Sequence, residues 1–260
     1  MRTNTVTQNQ GYRTLVTTGL ISYGVVHAVI AWIALQVAWG GRGDASSQGA
    51  LRELGSQPLG SVLLWVVAAG MFTLVVWQAL EAAFGYEWMD GGKRLRRRLA
   101  SVGRAIVYLA IGISAARVAL GSGGRSGDAA EQTLTARLMS APFGRILVAI
   151  VGLAVIAVGV SQIVRGVRKR FKEELTGAAS DATVKLGTAG FTAKGVALII
   201  IGLLFGWAAA TYDPDKAGGI DAALKTIRDQ PFGSVLLTVM ALGILAFGLF
   251  CFSWSRRARF

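Results

Sequence analysis

Six long apolar stretches, separated by short polar or basic segments, account for most of the chain: Leu15–Trp39, Gly60–Phe84, Leu99–Leu120, Phe143–Val164, Leu186–Tyr212 and Phe232–Trp254. A bilayer core about 30 Å thick is crossed by about 20 mostly apolar residues in helix, so each stretch is long enough to span. The runs are continuous rather than alternating, which argues against strands of a β-barrel. In hydrocarbon a helix satisfies every backbone N–H and C=O internally, even where glycine and β-branched residues would weaken it in water. The first stretch is longer than the apolar region of a signal peptide and is expected to be retained.

The pattern repeats. "SQPLGSVLL", "SAPFGRILV" and "DQPFGSVLL" precede the second, fourth and sixth stretches, with Pro58 and Pro142 separated by 84 residues and Pro142 and Pro231 by 89. Upstream, "SYGVVHAVIA", "GRAIVYLAIG" and "AKGVALIIIG" align. Gly24, Ala105 and Gly195 then coincide, as do His27, Tyr108 and Leu198; downstream, Gln78, Gln162 and Cys251 share a position. Each copy holds two crossings and so enters and leaves on the same membrane face. The copies are parallel repeats rather than inverted ones.

Between the two spans of a copy lies a short amphipathic segment. Ile220, Ala223, Leu224 and Ile227 recur at helical spacing, with Asp221, Lys225, Arg228 and Asp229 expected on the other side. The first copy sets Ala50, Leu51 and Leu54 against Arg52 and Glu53; the second sets Ala130, Leu134 and Leu138 against Glu131 and Arg137. Proline disfavours helix in the residue before it and suits the first turn of the next helix. The proline phrase therefore predicts a corner from interfacial helix to span. Ser56 or Asp229 is placed to cap the new helix, and Gly60, Gly144 and Gly233 admit a close backbone.

Charge gives direction. Of the 27 Lys and Arg, 18 fall on the face holding the termini and inter-copy links, including "KRLRRR" at Lys93–Arg98 and "RGVRKRFK" at Arg165–Lys172. Basic loops stay cytoplasmic, so both termini are expected there, with the amphipathic segments outside. Trp39, Trp88 and Trp254 near span ends suit the interface. Composition agrees: 53% of residues are hydrophobic and only 16% charged, where soluble domains carry about a quarter. The net charge of +13 flanks apolar segments rather than forming one nucleic-acid-binding surface.

The tandem units, with "AKGVALIIIG" at Ala193–Gly202, "GRAIVYLAIG" at Gly103–Gly112 and the three proline phrases, resemble a bacterial membrane-protein family known as domain of unknown function twelve-oh-six. The resemblance begins near Tyr12 and covers nearly all the remaining chain. The first copy departs from it, with Tyr23 where the others have Arg104 and Lys194. The family implies a fold and a location but no activity and no site residues.

Polar side chains inside spans are the natural functional candidates, because lipid makes them costly. Glu81, one turn from Gln78, is an ion or proton site or else a partner of the Lys93–Arg98 cluster. His27, the single histidine, is a pH-sensitive group or a helix-to-helix hydrogen bond. Arg117 and Arg145 line an anion vestibule or snorkel to the interface. Gln78 and Gln162 reflect packing between second spans or else contact a substrate, and Gly202 with Gly206 offers a GxxxG contact. One cysteine, Cys251, excludes an internal disulfide and multi-cysteine metal sites. "GSGGRSG" at Gly121–Gly127 lacks the Lys-Ser/Thr of a phosphate loop.

The expectation is an all-α membrane protein of six spans in three parallel hairpin repeats with short amphipathic extracytoplasmic helices. Its segments are a tail (1–12), repeat 1 (13–85), a basic loop (86–98), repeat 2 (99–166), a second basic loop (167–184), repeat 3 (185–254) and a basic tail (255–260). No catalytic, cofactor or metal site is expected. The partners are the bilayer, with anionic lipid at the cytoplasmic face, and another membrane protein or a second copy, but not nucleic acid. The function expected is a non-enzymatic scaffold or accessory subunit of the bacterial plasma membrane; the alternative is a small-solute transporter or channel along the pseudo-threefold axis.

Overall fold

The computed structural model describes residues 10–41, 43–86, 91–122 and 127–257, without the side chains of 10–13, 15 and 127–131. The tail 1–9, Arg42, Trp88, Arg125 and Arg259, and the side chains of Arg13, Ala130 and Glu131, lie outside the described residues. Nine α-helices and no strands occur among the described residues: α1 (Gln10–Ala38), α2 (Ser47–Ser56), α3 (Gly60–Phe84), α4 (Gly91–Ala119), α5 (Gly127–Met139), α6 (Gly144–Val167), α7 (Asp181–Thr211), α8 (Ile220–Arg228) and α9 (Gly233–Arg257). Six of them, α1, α3, α4, α6, α7 and α9, are long and apolar enough to cross a membrane. The fold is an all-α membrane fold.

Three spans, α1, α4 and α7, begin earlier than their apolar runs, by five to eight residues. α4 starts at Gly91, so most of the expected basic loop 86–98 is its first two turns. At about 1.5 Å per residue its 29 residues extend about 43 Å, more than a hydrocarbon core about 30 Å thick, and the excess is the basic end. α7 starts at Asp181, where Ser180 Oγ accepts the Thr183 N–H.

The helices divide between two compact units. In the first (residues 1–25, 51–124 and 251–260), α3 packs against both the start of α1 and α4. A Cβ at Gly19 would come within 2.5 Å of Leu74, and one at Gly70 within 2.5 Å of Ser22 Oγ. These glycines therefore set the distance between α1 and α3. Val16, Leu20, Leu64, Met71 and Leu74 are fully buried. Trp254 is buried too, edge-on to Trp77 at 6.5 Å, so it is not the interfacial belt residue expected; Trp39 is exposed.

In the second unit (residues 26–50 and 125–250), α6 and α7 run antiparallel with three small-residue pairs in register. Gly152 meets Gly202, Gly159 meets Gly195, and Gly166 meets Thr188, each pair seven residues from the next. Cβ atoms at Gly159 and Gly195 would come within 2.7 and 2.6 Å of the opposing carbonyl oxygen, so the two backbones touch. A Cβ at Gly206 would meet nothing within 4 Å, so of the expected GxxxG pair Gly202 is the position where only glycine fits. α7 also packs on α9, with Gly190 against Phe247 and Gly243 against Ala193. By the repeat alignment these correspond to Gly19 against Leu74 and Gly70 against Ser22. The first and third copies thus carry the same hairpin contact.

The corner is built differently from its sequence expectation. Leu59, Phe143 and Phe232 have left-handed φ of 64°, 59° and 59°. The following Gly60, Gly144 and Gly233 N–H groups donate to Gln57, Ala141 and Gln230 at 2.8–2.9 Å. Proline second and a left-handed residue third is the arrangement of a type II turn. The span therefore starts at the glycine, two residues after proline. Ser56 Oγ and Ser140 Oγ donate back to Glu53 and Arg137 carbonyls and do not cap the new helix. The glycines admit the end of the preceding helix: a Cβ on Gly144 or Gly233 would overlap the carbonyl oxygen of Leu138 or Arg228.

The connecting helices bury one side, with two departures. In α8 Ala223, Leu224 and Ile227 are buried as expected, but so is Asp221. Its carboxylate accepts the Ala45 N–H at 2.8 Å and pairs with Lys225 at 2.5 Å. In α5 the buried side is turned by one residue, with Thr135 and Met139 inside and Leu134 exposed.

Candidate functional site

A polar network joins α3 and α4 in the first unit. Arg104 Nε donates to Gln78 Oε1 at 2.9 Å. Its Nη2 donates to Ser101 Oγ at 3.0 Å and to Tyr86 Oη at 3.4 Å, and those two hydroxyls are 3.2 Å apart. Gln78 and Ser101 are almost fully buried. Helical spacing places Arg94, Arg98, Ser101, Arg104 and Tyr108 along one side of α4. Arg94 and Arg98 donate to the Tyr86 and Gly85 carbonyls beyond the end of α3. Tyr108 meets Tyr23 edge-on at 5.1 Å.

Gln78 is thus bonded to the first span of the next copy, not to another second span. Its counterpart Gln162 is half-buried and makes no side-chain hydrogen bond among the described residues. Glu81 is half-buried and forms no ion pair among the described residues. Of the basic cluster expected to neutralise it, Arg94 and Arg98 donate to backbone carbonyls.

The second unit holds His27, buried with its ring 4.8 Å from that of Phe247. Lys194 places its ammonium 4.1 Å from the centroid of the same ring, a cation–π contact. Arg145 binds a helix end: Nε donates to the Ala209 carbonyl at 2.5 Å and Nη2 to Ala210 at 3.0 Å, at the end of α7. A cation there complements the helix dipole and the orphan carbonyls. Arg117 is exposed and makes no side-chain hydrogen bond or ion pair among the described residues. Within the first unit Gln78 is bonded to Arg104, while neither Glu81 nor Arg117 has a side-chain hydrogen bond or ion pair among the described residues.

The link between α6 and α7 is anchored by Phe171, which is fully buried. It stacks on Phe191 at 5.5 Å, meets Phe250 edge-on at 5.2 Å, and lies over Gly187. Arg165 pairs with Glu174 and covers the Phe191 ring at 4.6 Å. Among the described residues no three His, Cys, Asp or Glu side chains group as metal ligands.

Arg104, Lys194, Ser101, Tyr86 and Asp221 were not among the sequence candidates. The signal for the first two was their shared repeat position with Tyr23, a polar group recurring one turn before Tyr108 and Leu198.

Residues 18–85, 99–169 and 189–258 each match the family described as Domain of Unknown Function (DUF1206). The chain belongs to that family. It is also similar to the "Uncharacterized protein YxxB" of Bacillus subtilis (strain 168), 32% identical over 238 residues, which is 89% of this chain and 86% of that protein. No solved structure matches. The three DUF1206 segments each take in both spans of one copy. The second begins at residue 99, so Arg104 lies within it and Lys93–Arg98 lies between segments.

Proposed function

We propose that the chain is a non-enzymatic scaffold or accessory subunit of the bacterial plasma membrane, with both termini in the cytoplasm. The observation that carries this reading is how the intramembrane polar groups are used. Gln78 and Arg104 bind each other, Arg145 closes a helix end, and the glycines bring backbones together. These are fastening devices. The 18 basic residues on one face support the orientation. Labelling of single cysteines with an impermeant reagent tests it: Gly92→Cys is expected to react only from the cytoplasm and Asp215→Cys only from outside.

One observation favours the transporter reading, the Glu81 carboxylate half-buried in a span with no ion pair among the described residues. Solute and proton flux in proteoliposomes separates the two. The scaffold reading expects flux no greater than in empty vesicles; flux that Glu81→Gln abolishes overturns it.

A further inference from the structure

α4 carries two stripes side by side. One is basic and polar, through Arg98, Ser101 and Arg104. The other is apolar, through Leu95, Leu99, Val102 and Ile106, which are all 45–62% exposed. Helical spacing of three and four residues makes both continuous along the helix.

Among the described residues Arg98 and Arg104 hydrogen-bond only to neutral groups. Arg98 reaches the Gly85 carbonyl through Nε and Nη2 at 3.4 Å each, at the limit of a hydrogen bond. Arg104 donates to an amide oxygen and two hydroxyls. Every acceptor is neutral, and among the described residues neither guanidinium has a carboxylate within ion-pairing distance. Lys93, Arg96 and Arg97, exposed on the same turns, raise the positive potential further. Half-buried charge at a membrane boundary is costly unless an anion compensates it. A guanidinium fork matches phosphate oxygens in geometry, and hydroxyls at the same place add donors.

We propose that this corner of α3 and α4 binds the phosphate of an anionic phospholipid headgroup. Arg98 and Arg104 hold the phosphate, the buried Ser101 hydroxyl fixes the Arg104 guanidinium in place, Tyr86 supplies a hydroxyl, and the acyl chains lie along Leu95, Leu99, Val102 and Ile106. The apolar stripe is what selects a lipid over a soluble phosphate. The inference rests on the proposed orientation only for which leaflet supplies the lipid; the binding is independent of it.

The test uses the full chain in a neutral detergent, with phosphatidylglycerol, phosphatidylcholine and inorganic phosphate each titrated while native mass spectrometry and thermal unfolding are followed. Phosphatidylglycerol is expected to bind at least about tenfold more tightly than phosphatidylcholine, the scale of a charged hydrogen bond. Arg98→Gln is expected to remove most of that preference and Arg104→Lys to keep more of it than Arg104→Gln. Arg256→Gln with Arg257→Gln is expected to leave it intact. If Arg104→Gln fails to fold, Arg98→Gln carries the test, since it gives up only long bonds to one carbonyl. Equal binding of the two lipids, or an unchanged preference in Arg98→Gln, overturns the proposal. Inorganic phosphate that stabilises the protein as much as phosphatidylglycerol overturns the lipid assignment and supports the phosphate site. The cysteine labelling above separates a failed site from a failed orientation.

Discussion

Arg104 Nε lies 2.9 Å from Gln78 Oε1, so the first span of the second copy is fastened to the second span of the first. Interhelical polar bonds in membranes contribute roughly 0.5–2 kcal/mol. Gln78→Leu is expected to lower stability by about that much, because Arg104 loses its shortest partner. A double-mutant cycle with Arg104→Gln, read by unfolding in mixed micelles, measures the coupling; strict additivity would show that the bond contributes nothing.

Gly202 and Gly206 look interchangeable in sequence and differ in space. Gly202→Ala would set a Cβ within 2.6 Å of the Gly152 carbonyl oxygen, forcing α6 and α7 apart. Overpacking of this kind costs about 1–3 kcal/mol. Gly206→Ala meets nothing within 4 Å and is expected to be neutral or slightly stabilising, as alanine favours helix. Thermal unfolding of the two variants side by side checks the contrast.

At the third corner, Phe232 holds a left-handed backbone that costs an L-residue about 1–2 kcal/mol, while the next residue must be glycine. Gly233→Ala is expected to abolish the turn or destabilise the chain by several kcal/mol, since its Cβ would overlap the Arg228 carbonyl. Phe232→Gly relieves the backbone and is expected to be tolerated in detergent. Folded yield after extraction distinguishes them.

Arg145 closes the end of α7 through the Ala209 and Ala210 carbonyls. Arg145→Gln is expected to fray that turn and speed amide exchange at Tyr212 and Asp213, whose N–H groups donate to the Ala208 carbonyl. Hydrogen exchange with mass readout checks it; Arg117→Gln, at an exposed side chain, serves as the unchanged control.

The spans and copies were legible because apolar run length and the proline phrases are local signals that lipid makes decisive. The buried face of α8 was legible for the same reason, through Leu224 and Ile227. α5 was not: its apolar residues are sparse, and Thr135 rather than Leu134 turns inward, a choice made by tertiary packing. Asp221 was placed on the polar side because a carboxylate inside needs a partner, and that partner is the N–H of Ala45, 176 residues away. The α6–α7 register was present as small residues every seven positions, Gly152, Gly159 and Gly166 in one helix and Thr188, Gly195 and Gly202 in the other, but only their antiparallel alignment shows that they meet. The corner's left-handed residue was hidden because sequence statistics reserve that conformation for glycine, whereas Leu59, Phe143 and Phe232 adopt it here.

The intimate helix pairs α3–α4 and α6–α7 each join the end of one copy to the start of the next. The stretch of chain that was duplicated is therefore offset by one helix from the stretch that packs. A gene severed between copies would part α3 from α4 or α6 from α7. One severed within the second copy, in residues 123–126, would leave both pairs whole, and its two halves are the better prospects for reassembly when made as separate polypeptides.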